Sequence, residues 1–166
     1  MKILQGGLVL GVAVAAWTFV MGFTGWYKHP SLLHLFWLVL PIQVAVLIWT
    51  LIRTKRDGRG WGGQVLAGFL TSAVGSALVF ASSMVFTTLA FPRYFDELRA
   101  LHEQVLRDQG MAEEQIRVMV AQAAQMQTSV MQATQGMIGT LVTGLFVSML
   151  IAIWIRAKDA PAAPAT

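Results

Sequence analysis

Four stretches of this chain each run for about 20 residues or more without an Asp, Glu, Lys or Arg: Ile3 to Trp26, Leu32 to Ile52, Trp61 to Phe91 and Gln135 to Ile155. A helix needs about 20 predominantly apolar residues to cross the hydrocarbon core of a bilayer. Only 12% of the residues are charged and 56% are hydrophobic, against about 25% charged in an ordinary soluble domain. These blocks predict an all-α integral membrane protein, a four-helix bundle whose solvent is the lipid bilayer. Its spans cover about 3–26, 32–52, 61–91 and 135–155. The first block, preceded by Lys2, exceeds the roughly 7–15 apolar residues of a secretory signal and reads as a retained span.

Charge sets the expected orientation. With four crossings, Lys2, Arg53, Lys55, Arg56, Arg59, Arg156 and Lys158 share one side with Asp57 and Asp159. The other side holds Lys28, Arg93, Arg99, Arg107 and Arg117 against six acids. The positive-inside rule therefore predicts a multi-pass protein of a bacterial inner membrane with both termini cytoplasmic and segment 92–133 periplasmic. The cluster Arg53 to Arg59 is explained by topology and by anionic headgroups, so no nucleic-acid partner is inferred. The tail 159–166, with Pro161 and Pro164 among alanines, is expected to be disordered.

In lipid, helices associate where small residues let backbones approach and polar side chains meet. The expected packing faces are Gly7 and Gly11 in span one, Gly68, Ser72 and Ser76 in span three, and Gly136, Thr140, Gly144 and Ser148 in span four. Pro41 is expected to kink span two, and with Gln43 and Gln64 it marks a possible polar pocket.

Between spans three and four, Pro92 stops the helix. An apolar stripe then follows at Tyr94, Leu98, Leu101 and Val105, ending at Gly110, and a second at Ile116, Met119, Ala123 and Met126. The pattern predicts an extramembrane antiparallel helical hairpin over 92–133, with these residues as its seam. Its methionines read as filler of that seam, and Gln115, Gln122 and Gln125 as a wet face. No charge or proline separates Gln132 from Thr140, which predicts one helix of roughly 45 residues running from the second arm through span four.

Chemistry-bearing patterns are scarce. The chain has no cysteine, and His29, His34 and His102 are not spaced as helical metal ligands. Asp96, Glu97, His102 and Glu103 cluster on the first arm, which has no serine, cysteine or lysine to act as a nucleophile, and read as a solvated acidic face. No catalytic residue, cofactor or metal is expected.

The layout as a whole is distinctive. A basic link Arg56-Asp57-Gly58-Arg59-Gly60-Trp61 precedes span three; Phe91-Pro92-Arg93-Tyr94-Phe95 follows it and opens a charged helix ending at Gly110. Next come Glu113-Glu114-Gln115-Ile116, a Met/Gln-rich stretch and a Gly-rich last span. This order resembles the bacterial membrane protein family catalogued as domain of unknown function 4199. That family's turn commonly carries a Ser or Thr cap where this chain has Met111-Ala112. The resemblance implies a fold and no activity, so no functional residue is carried over. The functional expectation is a non-catalytic structural or interaction protein whose hairpin docks a membrane protein partner or a second copy, with a small oligomeric transporter or channel as the alternative.

Overall fold

The computed structural model describes residues 1–155, and the expected tail at 159–166 lies outside them. Six α-helices follow one another: α1 (Lys2–Phe23), α2 (Val39–Lys55), α3 (Trp61–Val85), α4 (Tyr94–Asp108), α5 (Glu113–Met126) and α6 (Ser129–Ile155). Four helical stretches are long and apolar enough to cross a membrane: Lys2–Phe23, Pro30–Lys55, Trp61–Ala90 and Ser129–Ile155.

Leu10, Val14, Leu47 and Val79 form a buried apolar cluster between these stretches, but polar side chains share the interior with them. Gln43, Thr50, Thr54, Gln64, Thr71, Ser72 and Ser148 are buried, while Leu4, Leu8, Val12, Leu66, Phe69, Val142, Phe146 and Leu150 are exposed. A soluble protein gains by burying such apolar side chains. A protein solvated by acyl chains does not, and can keep polar side chains between its helices instead.

Close approach is obtained with glycine and serine. A Cβ added at Gly68 would collide with Ser148 Oγ, and one at Gly144 with Ser72 Oγ. One at Gly136 would stand 3.3 Å from Val79 Cγ1. The partner numbers fall along α6 as they rise along α3, so these two helices run antiparallel. On the other flank of α3, Gly7 faces Val74 and the Thr71 carbonyl, and Gly11 faces Leu78 and the Gly75 carbonyl. There the numbers rise together, so α1 and α3 are parallel. Gly6 admits Thr50 of α2, and Lys2 pairs with Asp57, tying the start of α1 to the α2–α3 loop.

Two expectations about helix continuity are corrected. Span two is not an α-helix kinked at Pro41. A 3₁₀ helix runs from Pro30 to Leu38 and becomes α-helical at Val39, which leaves Pro41 in the first turn of α2. Proline's fixed φ suits the first turn of an α-helix, so at this position it need not break an interior helical bond. The Trp17 indole donates to the Leu35 carbonyl at 3.1 Å, anchoring the 3₁₀ segment to α1.

The second arm and span four are likewise two helices. Gln127 leaves helical geometry at φ −91°, ψ 68°. Thr128 then caps α6, its Oγ1 accepting from the Met131 N–H at 3.2 Å. A hydroxyl three residues before that donor is an N-cap, and it competes with continuation of the helix.

Candidate functional site

The C-terminal ends of α1 and α3 and the start of α4 meet in an aromatic cluster. Span three closes with a π turn, Phe86–Ala90, in which the Phe91 N–H donates to the Phe86 carbonyl at 2.8 Å. This extra residue per turn swings Phe91 onto Phe86, with ring centroids 4.6 Å apart. Pro92 removes Phe91 from helical geometry, and the chain re-enters a helix at Tyr94. Tyr94 packs against Phe86 at 5.3 Å and against Tyr27 at 5.1 Å. Gly22 makes room for the Phe86 and Phe91 rings.

One carboxylate fixes the arm to this cluster. The buried Tyr27 hydroxyl donates to Glu97 of α4, and the Lys28 ammonium lies 3.0 Å from the same carboxylate. Glu97 is held below the usual carboxylate range, first by the Tyr27 hydrogen bond and then by Lys28. Tyr27 is pushed above the ordinary phenol range, mainly by burial and then by its bond to Glu97. The solvated acidic face expected for Asp96, Glu97, His102 and Glu103 is thus corrected at Glu97. Its separation of 70 residues from Tyr27 leaves no local signal in the sequence.

α4 contacts α5 across the turn at Gly110. Gly110 takes φ 78°, and the Met111 N–H returns to the Leu106 carbonyl at 3.2 Å, closing the end of α4. Arg107 reaches across the turn to Glu113 at 2.9 Å, closer than its helical neighbour Glu103 at 3.8 Å.

The apolar seam differs from the expectation. Tyr94 and Ile116 are buried, and Leu98, Leu101, Val105 and Ala123 are half-buried. Met119 and Met126, by contrast, are 44% and 56% exposed. In their place Ile116, Val120 and Ala124 line a groove of about 620 Å³ with Asp96, Ala100 and Glu103. α5 carries two apolar stripes about one residue out of phase, and the one with smaller side chains faces α4. The stripe with Val118, Met119 and Met126 is left outward.

The polar residues expected to form a pocket are not gathered into one. Pro41 is exposed, whereas Gln43 and Gln64 are buried. Gln43 Nε2 donates to the Thr140 carbonyl at 2.7 Å, and the Thr54 hydroxyl donates to Gln64 Oε1 at 2.7 Å. Gln43 lies beside the Ser72–Gly144 contact. Gln64 is two turns from Ser72 along α3, about 12 Å. Ser76 is buried with its hydroxyl on the Ala73 carbonyl, and Thr140 is also buried. Among the described residues, no three His, Asp or Glu side chains gather in a metal-ligating group.

A family model described as protein of unknown function, DUF4199, matches residues 5–157. The chain belongs to this family. No curated protein and no solved structure matches it. The match begins within α1 and runs past Ile155, the last described residue of α6, so it takes in the spans and the arm alike. Membership in DUF4199 supplies no activity, and the residues themselves must carry any functional argument. Sequence reasoning missed Tyr27, Lys28, Glu97, Phe86 and Phe91 as a unit. The only cue was the density of aromatic residues at 86–95.

Proposed function

We propose that this chain is a non-catalytic, multi-pass protein of a bacterial inner membrane. In this reading it crosses the bilayer four times, keeps both termini cytoplasmic and holds α4 and α5 outside as an antiparallel hairpin. That hairpin docks a second copy or another membrane protein.

The observation that carries the reading is the outward stripe Val118, Met119 and Met126 on α5, on an arm held by Glu97. An exposed, methionine-bearing helix face is adaptable and suits capture of another helix. The transport alternative has less support, since Gln43 donates within the helix pack, Gln64 Oε1 accepts from Thr54 although its Nε2 finds no partner, and Pro41 faces away.

The test uses the full chain, which contains no cysteine. Gln109→Cys and Arg56→Cys should react with impermeant reagents from opposite compartments; labelling from one side overturns the topology. Crosslinking in membranes should capture an associated chain, and Val118→Glu with Met119→Glu should abolish that capture. A monomer in both wild type and variant overturns the docking role.

A further inference from the structure

Beside the aromatic cluster lies a cavity of about 600 Å³, open between the end of α1 and the α3–α4 junction. Its size falls in the range of about 300–1,000 Å³ typical of small-molecule sites. Lys28, His29 and Arg93 line one part of it, and Phe23, Phe91 and Tyr94 another. We infer that this cavity holds the phosphate headgroup of an anionic phospholipid, with an acyl chain lying against the neighbouring helix ends. The inference rests on the membrane-spanning reading above.

Three features point to that ligand. The first is charge. Glu97 also lines the cavity, but its carboxylate is covered by the Tyr27 hydroxyl and the Lys28 ammonium. Arg93 makes no ion pair among the described residues; its charge helps to lower the Glu97 carboxyl, but its hydrogen-bond donors are not spent on a carboxylate. Arginine suits phosphate because its planar fork donates two parallel hydrogen bonds.

The second is position. Basic residues at the cytoplasmic ends of spans are explained by topology alone, whereas those on the outer side are not. Lys28 and Arg93 are separated by 65 positions in sequence yet line one cavity.

The third is the apolar flank. Phe23, at the end of α1, and Leu89, in the π turn after α3, are 77% and 75% exposed. They offer an acyl chain a surface next to a cationic site. Gly25, at the rim, takes φ 69° and has nothing within 4 Å of where a side chain would stand, so the mouth stays open.

The experiment is native mass spectrometry of the full chain in non-ionic detergent. Phosphatidylglycerol, phosphatidylcholine and inorganic phosphate are added in turn. Phosphatidylglycerol adducts should exceed phosphatidylcholine adducts. Arg93→Gln should weaken them about fivefold, the contribution of one basic residue near an anionic headgroup. Arg93→Lys should restore part of that loss. Thermal melting of each variant separates lost binding from lost folding.

Equal retention of the two lipids, or unchanged adducts in Arg93→Gln, overturns the site. Displacement of phosphatidylglycerol by inorganic phosphate at matched concentration overturns the lipid as its occupant. A wild-type chain that stays dispersed without detergent overturns the membrane reading itself. A chain that needs detergent but shows no lipid preference overturns this site alone.

Discussion

Ser72 of α3 sits against the bare backbone of Gly144 on α6, and one turn away Ser148 of α6 sits against Gly68 of α3. The same Gly-x-x-x-Ser pattern thus interlocks with itself across two antiparallel helices. Each serine fills the space that its partner glycine leaves.

This relationship predicts the cost of a single methyl group. Gly144→Ala or Gly68→Ala places a Cβ on a serine hydroxyl at a helix contact, and overpacking of that kind costs about 1–3 kcal/mol. Gly139→Ala is the control, because a Cβ there meets nothing within 4 Å. It should be neutral or slightly stabilising, as alanine is the better helix former. Thermal unfolding in detergent measures both. The exchange Ser72→Gly with Gly144→Ser should retain more stability than Gly144→Ser alone.

The attachment of the arm should depend on pH, with a sign set by Glu97. Its folded carboxyl is held below its ordinary value by the Tyr27 hydrogen bond and by Lys28. The stabilisation is therefore present above the unfolded value, about 4.3, and is lost as pH falls through the lower folded value. Tyr27 behaves oppositely. Its raised folded value makes its contribution complete below about 10 and lost as pH climbs beyond. Hydrogen exchange of α4 should show protection that collapses at both extremes. Glu97→Gln should remove the acid limb, and an acid limb persisting in that variant would exclude Glu97 as its source.

How far the sequence discloses these features depends on their range. The spans are legible because charge-free runs of such length have few other uses, and Gly68, Ser72, Gly144 and Ser148 are legible because four-residue spacing puts them on one face. The outward rotation of α5 is not. Ile116, Met119, Ala123 and Met126 form as good a stripe as Ile116, Val120 and Ala124, and only the packed partner decides between them. The bond from Tyr27 to Glu97 joins segments that no periodicity relates. Gly6 and Gly22, which meet Thr50 and the Phe86 and Phe91 rings, are not legible either, because Leu10 and Trp26 rather than small residues stand four positions on.

The break between α5 and α6 should respond to one hydroxyl. Thr128 Oγ1 accepts from the Met131 N–H, and Gln127 has already left helical geometry. Removing an N-cap hydroxyl costs about 0.5–2 kcal/mol. Thr128→Ala should lower stability by about 1 kcal/mol and speed amide exchange at Met131, while Thr128→Asn keeps the cap. Unchanged exchange in Thr128→Ala would mean that the cap does not hold the start of α6.

Gln43 gives the complementary test inside the helix pack. Its amide donates to the Thr140 carbonyl at 2.7 Å and lies beside the Ser72–Gly144 contact. Side-chain hydrogen bonds between membrane helices average about 0.6 kcal/mol, because the separated helices also find partners for their polar groups. Gln43→Leu removes the donor but leaves an apolar side chain of similar bulk, so stability in detergent should fall by about 0.6 kcal/mol. A loss of several kcal/mol would instead mean that Gln43 organises the surrounding serines, Ser72 first, as one network. Double-mutant cycles with Ser72→Ala then distinguish the two, since additivity excludes a network and coupling establishes it.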